Sequence, residues 1–345
     1  MLFEIRFGIL TSKDMDTSLR ESLIQSISDA IDMLYQIQLP SGAFPNYSSS
    51  DKEMEEYCRF DHCVFSSTII GCCLMFSENE KVLRILQKIR RFLAFEMIYP
   101  GVWCYWSSES NLKIMPDMDD SCCASFLLRK NHPYILRGEN IPLLLRNRSE
   151  KGLFYTWLNP LPDDPEEQND IDSVVNSNVI LYLGEREETK KTIDFLNRIV
   201  LENREESTYW YYLNNLALYY MMSRAYFSGA RSLHRSADSI IRKVTSMQSQ
   251  NGSFGDELKT ALAISTLLNY NFSDSTILTK GIEFLLATRT RTGVWRKLAF
   301  YAGPQYPRPH SVWFGAEALT TALCLEALLR FDGTIAANEN EQGRS

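Results

Sequence analysis

The stretch Gln248-Ser249-Gln250-Asn251-Gly252-Ser253-Phe254 carries the pattern that decides the fold: a glycine, one further residue and then an aromatic ring. A helix is predicted on each side, so the stretch is expected to be a turn between two helices. Glycine permits a tight turn that a residue with a Cβ atom resists. The aromatic ring is expected to dock against the next helical hairpin.

The same turn recurs along the chain. Further copies stand at Gly42, Gly101, Gly152 and Gly293, each followed after one residue by Phe or Trp. The intervals between the five glycines are 59, 51, 100 and 41 residues, so a degenerate copy is expected within the long interval. Ser207-Thr208-Tyr209-Trp210 is the candidate, since it keeps the aromatic residue and lacks the glycine. Six units of roughly 50 residues indicate a repeat architecture.

Six helix–turn–helix units that close on themselves form an all-α (α/α)6 barrel, which is the predicted fold. Strand signals are nearly absent. Residues 1–333 are expected to form this single barrel domain, and residues 334–345, which end in a polar run, are expected to be a disordered tail. The amides of Gln38 and Gln248, which precede two of the turns, could bond a neighbouring helix end.

The composition supports a large core and limits the compartment. The chain has 345 residues, 45% of them hydrophobic and 12% aromatic. Its net charge of -7 argues against nucleic acid as a partner. Most of the eight cysteines lie in apolar segments, and the adjacent pairs Cys72–Cys73 and Cys122–Cys123 lack metal-ligand spacing. Such cysteines are typical of core positions in a reducing compartment.

No signal peptide is recognisable in residues 1–10, and no apolar run reaches the roughly 18 residues that a membrane-spanning helix needs. The four histidines show no metal spacing either. The sequence therefore predicts a cytoplasmic protein without a bound metal.

A second stretch, Pro116-Asp117-Met118-Asp119-Asp120-Ser121, places three carboxylates within four residues. Pro116 disfavours helix, so the stretch is predicted to enter a helix, and the acids could serve only to cap its first turn. Like charges this close cannot all ionise freely, which raises the pKa of one carboxyl. A protonated carboxyl in a dry aromatic cavity is a strong general acid, and protonating a carbon–carbon double bond requires one.

Asp117-Met118-Asp119-Asp120 followed by Ser121 resembles the DxDD(T/S) motif of class II terpene cyclases, the squalene–hopene cyclase superfamily. The glycine–aromatic turns resemble the QW repeats of that family in weakened form, over about residues 20–333. The resemblance implies a protonation-initiated cyclisation of a linear isoprenoid, with Asp119 as general acid, Asp117 and Asp120 as supporting carboxylates, and no cofactor.

This chain has one barrel where the larger relatives have two, so it is most similar to the stand-alone cyclases of meroterpenoid pathways, of the merosterolic acid type. That similarity implies a farnesyl or geranylgeranyl chain on a dihydroxybenzoate-like head as substrate. A free prenyl diphosphate is the alternative, and it would require magnesium. Peripheral contact with a membrane, to collect such a substrate, is left open.

Aromatic rings and one amide are the candidates for binding the substrate. A cation over an aromatic face gains roughly 0.5–2 kcal/mol. Asn176 and Asn178 lie among apolar neighbours, and one of them could bond the acid cluster or the substrate. The segment resembles an Asn-x-Asn segment of the single-domain relatives, and this resemblance favours Asn178. Trp103, Phe154 and Trp295 are expected to pack the turns. The aromatic candidates are Tyr105, Trp157, Trp210, Tyr212, Tyr301 and Trp313.

Other uses of a helical barrel were weighed. Asp163-Asp164-Pro165-Glu166-Glu167 resembles the magnesium motif of class I terpene synthases, but Pro165 breaks the helix which that motif requires. The start of the second class I motif, at residues 169–173, lacks its final Glu because position 177 is Ser. Gly252-Ser253-Phe254-Gly255-Asp256 resembles protein prenyltransferase β subunits, but no zinc site of Asp, Cys and His can be assembled. A prenyltransferase-like or isoprenoid-binding barrel without cyclase activity remains the alternative class.

Overall fold

The computed structural model describes residues 16–131, 136, 138–158, 169–303 and 310–342. This part of the chain is mostly helical. Its twelve α-helices are α1 (Thr17–Ile37), α2 (Phe65–Leu74), α3 (Glu80–Glu96), α4 (Met118–Asn131), α5 (Ile141–Arg146), α6 (Ser173–Leu183), α7 (Lys190–Leu201), α8 (Asn215–Phe227), α9 (Ala237–Thr245), α10 (Glu257–Asn269), α11 (Ser275–Thr288) and α12 (Glu317–Gln342).

The helices form two concentric layers. The even-numbered helices contact one another in cyclic order, from α2 through α4, α6, α8, α10 and α12 back to α2. The odd-numbered helices pack outside this ring, as α1 does against α3, α11 and α12. Every residue of α2 and α6 is buried, whereas α3 buries only one face. A helix enclosed on all sides has to be apolar all round, and an outer helix needs one apolar stripe. The predicted (α/α)6 barrel is confirmed.

The glycine–aromatic turns join each outer helix to the next inner one. At Gly42 the φ angle is +97°, and a Cβ atom would lie 2.3 Å from the carbonyl oxygen of Lys88. At Gly252 φ is +86°, and a Cβ atom would lie 2.2 Å from the carbonyl oxygen of Lys280. The turns press against the following outer helix so closely that only glycine fits. The degenerate copy at residues 207–210 lies between α7 and α8, where the repeat predicted it.

Side chains of these turns bond the outer helix before the turn, through tryptophan, and the outer helix of the next hairpin, through glutamine. The indole N–H groups of Trp103 and Trp295 donate to the carbonyl oxygens of Leu93 and Leu285, each at 2.8 Å. Gln38 Nε2 donates to Ile85 O at 3.1 Å, and Gln248 Nε2 donates to Ile277 O at 2.8 Å. The predicted amide contacts to a neighbouring helix are therefore confirmed.

Each intact turn is also tied to the inner helix that follows it. The backbone N–H of the aromatic residue donates to a side-chain oxygen in the first turns of that helix, at 2.8–3.2 Å. In the degenerate copy, the N–H of Trp210 donates to Asp172 Oδ2 instead, at 2.6 Å. The sequence analysis missed this second half of the repeat. Its acceptors are Ser67, Ser121, Asn176, Thr260 and Thr321.

The structure contains a small sheet that was not predicted, because the sequence has almost no strand signal. Its strands are β1 (Asn46–Ser49), β2 (Arg59–Asp61), β3 (Ala299–Ala302) and β4 (Trp313–Gly315), in the antiparallel order β2-β1-β4-β3. Strands of three or four residues are too short to carry a readable alternation. They form because barrel closure brings the segment before α2 beside the segment before α12.

The last helix extends beyond the predicted end of the barrel domain. The helix α12 continues to Gln342, and residues 343–345 lie outside the described part. The domain limit at residue 333 and the disordered tail stay predictions. Ile335 is buried against the core, which extends the packed face of the helix beyond residue 333. No described helix is both long and apolar enough to cross a membrane.

Candidate active site

The acid cluster lies where α4 begins. Asp117 precedes the helix, and its Oδ1 accepts the backbone N–H of Asp120 at 2.7 Å, as a helix-capping carboxylate does. Asp117 and Asp120 are buried, whereas the side chain of Asp119 is partly accessible and faces the cavity described below. The structure thus gives a capping role to one acid and turns the middle one towards an open space.

Two side chains hold Asp119. Asn178 Nδ2, from α6, donates to Asp119 Oδ1 at 2.7 Å, and the Tyr212 hydroxyl donates to Asp119 Oδ2 at 2.6 Å. Burial raises the pKa of Asp119, while the hydrogen bonds from Tyr212 and Asn178 and the positive charge of Arg224 oppose that rise. The net shift is upward, which favours the protonated acid.

The flanking acids also favour protons. Burial raises the pKa of Asp117 to about 7, and the charge of Asp119 adds to this. Burial raises the pKa of Asp120 well above its ordinary value, and the neighbouring carboxylates of Asp117 and Asp119 raise it further. Three acids side by side, two of them buried and one partly accessible, cannot all be ionised. The cluster therefore retains protons near neutral pH.

A cavity of about 220 Å³ opens in front of the cluster. The first turns of α2, α4 and α6 and the segments before α8 and α12 form its wall. Four of the six predicted aromatic residues line it: Tyr105, Trp157, Tyr212 and Tyr301. The full lining is Phe65, Tyr105, Trp106, Ile114, Asp117, Asp119, Asp120, Thr156, Trp157, Val175, Tyr211, Tyr212, Tyr301, Ala302, Gly303 and Phe314.

Trp210 and Trp313 are not among the lining residues, and their contact with a substrate stays a prediction. The indole N–H of Trp210 donates to the carbonyl oxygen of Ile171 at 3.2 Å, which holds the ring at the start of α6. Trp313 lies on β4 next to Phe314, which does line the cavity. Because neighbouring side chains of a strand point to opposite faces, Trp313 points away.

Several lining residues were missed by the sequence analysis. Phe65 is the first residue of α2, Val175 lies in the first turn of α6, and Tyr211 precedes Tyr212. The first turns of the inner helices face the cavity, so assigning inner and outer helices in the sequence would have found the first two. Trp106 and Phe314 carry no comparable signal, because only the folded loops bring them to the cavity.

The two asparagines of α6 contact different partners. Asn176 accepts the backbone N–H of Phe154 at 3.0 Å and donates to its carbonyl oxygen at 2.9 Å, so it secures a turn. Asn178 is the one that contacts the acid cluster. Asp172 caps α6 by accepting the N–H of Val174 at 2.6 Å, and burial raises its pKa to about 7.

Nothing in the described ranges assembles a metal site from three or more His, Cys, Asp or Glu side chains. The acidic stretch at residues 163–167 and His132 lie outside those ranges. Asp170, from the second class I motif, bonds the hydroxyl groups of Thr156 and Tyr211. His62 lies 3.2 Å from Glu109 at the surface, and the other described histidines, His234 and His310, are not lining residues either.

No protein family model matches the sequence, and no curated protein is significantly similar to it. Among solved structures, the chain is similar to the type II terpene cyclase MstE from Scytonema in complex with geranylgeranyl dihydroxybenzoate, with a TM-score of 0.71 at 15% identity. The match covers 92% of this chain and 99% of that one. The chain has the fold of a type II terpene cyclase.

Two further structures extend this likeness. A protein from Actinoplanes matches the terpene cyclase fold of this chain with a TM-score of 0.70 at 15% identity, over 91% of this chain and 99% of the other. The ent-copalyl diphosphate synthase from Streptomyces platensis matches with a TM-score of 0.56 at 16% identity. That match covers 77% of this chain and 50% of the larger protein.

Proposed function

We propose that the protein is a class II terpene cyclase in which Asp119 protonates the terminal double bond of a linear isoprenoid. The observation that carries the proposal is the position of Asp119: it is held by Asn178 and Tyr212 at the wall of an aromatic cavity. The terpene cyclase fold supports the same conclusion.

The first step transfers one proton. The O–H bond of Asp119 breaks, a C–H bond forms at one end of the alkene, and the positive charge appears at the other end. Both oxygens of Asp119 already accept a hydrogen bond, so the carboxylate that remains is stabilised as the proton leaves. Asp119 also lies in the first turn of α4, where the helix dipole favours a negative charge. Asp117 and Asp120 support the acid by fixing this turn.

The cavity wall acts on the carbocations that follow. Tyr105, Trp157, Tyr212 and Tyr301 line it, and each ring face can stabilise a nearby cation by about 0.5–2 kcal/mol. Successive ring closures move the charge along the folded chain, and the wall excludes water that would end the cascade early.

A prenylated dihydroxybenzoate-like compound, with a farnesyl or geranylgeranyl chain, is the proposed substrate. It is supported by the similarity to MstE, whose structure contains geranylgeranyl dihydroxybenzoate. This reaction needs no cofactor. The partial likeness to ent-copalyl diphosphate synthase favours a free prenyl diphosphate as the second candidate, which would require magnesium for its head group. The alternative without enzymatic activity is an isoprenoid-binding barrel.

The cytoplasmic location and the peripheral membrane contact stay predictions. Exposed Leu112 and Met115 lie within two residues of the lining residue Ile114. Apolar side chains near the cavity wall support delivery of an apolar substrate from a lipid layer.

The test is turnover by the wild type and by Asp119→Asn, without added metal, on geranylgeranyl dihydroxybenzoate and on geranylgeranyl diphosphate with and without magnesium. Cyclic isomers are detected by chromatography as products of unchanged mass. We expect wild-type turnover of the dihydroxybenzoate and a loss of at least about 1,000-fold in the variant, since general acid catalysis is worth up to about 10,000-fold.

Asp256→Asn is the matched control, because Asp256 also lies at the N-terminal end of an inner helix, α10, and does not line the cavity. Turnover of the diphosphate alone would move the assignment to the second candidate. Equal activity of wild type and Asp119→Asn would remove Asp119 from the mechanism. Binding of both compounds without conversion would favour the binding protein.

A further inference from the structure

A second hydrogen-bonded carboxylate lies beside the cavity, at Asp61. It ends β2 and is buried, with 7% of its surface exposed. The Tyr105 hydroxyl donates to Asp61 Oδ2 at 2.6 Å, and the indole N–H of Trp106 donates to Oδ1 at 3.0 Å. Asn46 Nδ2 donates to Oδ2 at 3.3 Å. All three contacts come from donors, which is what an ionised carboxylate needs, because it can only accept.

This network reaches the cavity through its tyrosines. Tyr105 and Tyr301 both line the wall, and their hydroxyl oxygens lie 3.1 Å apart. Ser66 lies 3.0 Å from the Tyr301 hydroxyl. Within the described ranges, no hydrogen bond joins this group to Asp119 and its partners Asn178 and Tyr212. The cavity therefore has one carboxyl group, Asp119, that lies beside two other acids, and a separate one, Asp61, whose hydrogen-bond partners are all neutral donors.

These contrasting surroundings suit opposite ends of a cyclisation. A cascade that begins by taking a proton from Asp119 has to release one when the last cation becomes a neutral alkene. We propose that the pair Tyr105–Asp61 accepts this final proton. The inference rests on the proposed function and adds the terminating base to it.

In the final proton transfer, each bond that breaks is matched by one that forms. A C–H bond next to the last cation breaks, and its electron pair becomes the second bond of the alkene. The proton passes to Tyr105 Oη, and the hydroxyl proton of Tyr105 moves along the 2.6 Å hydrogen bond to Asp61 Oδ2. Tyr105 ends unchanged, Asp61 ends protonated, and Asp119 ends ionised. Proton exchange with solvent then restores both acids.

A second tyrosine–carboxylate pair in the wall suits this role less well. The Tyr211 hydroxyl donates to Asp170 Oδ2 at 2.6 Å, but its oxygen already accepts the indole N–H of Trp157 at 3.1 Å. Asp170 is also bonded by the Thr156 hydroxyl. Tyr105 Oη also has donors beside it, since Asn46 Nδ2 lies 3.4 Å away, so the two pairs differ in their carboxylates. Asp170 lies close enough to the buried Asp172 to raise its pKa, whereas the hydrogen-bond partners of Asp61 are all neutral donors.

The experiment measures how products are distributed, with geranylgeranyl dihydroxybenzoate as the probe in D2O. The variants are Tyr105→Phe, Asp61→Asn and Tyr211→Phe. Tyr219→Phe is the control, because Tyr219 makes an equivalent bond to Glu205 at 2.7 Å and does not line the cavity. Each product that begins by protonation carries one deuterium, which counts initiation separately from termination.

In Tyr105→Phe and Asp61→Asn we expect substrate to be consumed with one deuterium incorporated per molecule. The share of the wild-type alkene should fall by about tenfold or more relative to alcohols and partly cyclised products, because a positioned base contributes about 100-fold or more. A purely structural role would lower all products together and leave their ratio unchanged. Tyr105→Phe keeps the ring, so it tests the idea even if Asp61→Asn does not fold.

Three results would overturn the inference. The first is an unchanged product ratio in folded Tyr105→Phe. The second is a shift caused by Tyr211→Phe and not by Tyr105→Phe. The third is a wild type that forms no deuterated product. This result would remove the proposed function itself. It is recognised because the control Tyr219→Phe is then equally inactive.

Discussion

At the scale of single residues, three aspartates within four positions have three different surroundings. Asp117 caps α4, Asp120 is buried beside it, and Asp119 is held by two donors at the cavity wall. The sequence motif singles out the middle acid without saying what holds it. Tyr212 lies 93 positions away in the chain, and only the fold brings it to Asp119.

Tyr212→Phe tests the contact with Asp119. Removing this donor takes a stabilising bond from the carboxylate, so the pKa of Asp119 rises further and the acid becomes weaker. We expect kcat to fall by about 10-fold to 100-fold, since a hydrogen bond to a charged group is worth about 1.5–3 kcal/mol. A general acid is active below its pKa, so activity declines as pH rises, and the midpoint should move upwards in the variant.

The measurement is kcat and kcat/KM of both proteins across pH. Tyr219→Phe is the control, because it also loses a bond between a buried tyrosine and a carboxylate, Glu205. A midpoint that does not move, or that moves equally in the control, would contradict the role of Tyr212.

At the scale of elements, one face of α6 holds a turn of the barrel and another face contacts the acid cluster. Residues two positions apart on a helix point in very different directions, since each residue turns by about 100°. Asn176 therefore reaches the turn at Phe154, whereas Asn178 reaches Asp119. The same element secures a repeat turn and supports the acid.

Asn176→Ala is expected mainly to lower stability, and Asn178→Ala is expected mainly to lower activity. Asn176→Ala leaves a buried backbone N–H and carbonyl of Phe154 without a partner, which should lower the free energy of unfolding by about 2–3 kcal/mol. Asn178→Ala should lower kcat and change stability less, because it removes one donor from Asp119. Urea denaturation and turnover of both variants check this. A larger stability loss in Asn178→Ala would contradict the division of roles.

At the scale of the whole molecule, buried charge is divided between the two ends of the inner ring. The acid cluster and Asp172 lie at the N-terminal ends of α4 and α6, whereas Arg224, Glu326 and Arg330 lie in the later turns of α8 and α12. The positive end of a helix favours the ionised acid, so the cavity end is where a carboxylate can form at the lowest cost.

Burial of acids in the folded protein makes stability depend on pH. The pKa of Asp172 is about 7 when folded, and about 4 is ordinary for an unfolded chain. The folded state therefore binds the proton more tightly, so this contribution to stability is complete below about pH 4 and is lost as pH rises to about 7. Asp117 adds in the same direction.

Asp172→Asn should flatten this dependence. A pKa shift of that size corresponds to at most about 4 kcal/mol. Between pH 4 and 7, the free energy of unfolding should therefore fall less in the variant than in the wild type, by up to that amount. Asparagine also caps helices well, which keeps α6 intact. The free energy of unfolding in urea, measured at several pH values, gives the two slopes. Parallel curves would show that Asp172 does not bind its proton in the folded state.

Much of the architecture could be predicted from the sequence because the turns are local. Gly42 and Gly252 are needed where their turns meet the following helix, and the polar residue that completes each turn lies in the next inner helix. The acid cluster could be predicted for the same reason, since its three carboxylates are neighbours in the chain.

The sheet, the partners of Asp119 and the donors around Asp61 depend on contacts between distant segments. The sheet joins residues near 50 to residues near 300, and Tyr105 meets Asp61 across 44 positions. The sequence by itself determined the repeated turns, the helical class and the acid motif, because each depends on neighbouring residues. Tertiary structure decided which aromatic rings face the cavity and which carboxyl holds a proton. The reason is that closure of the helical barrel sets both the direction of each side chain and its access to water.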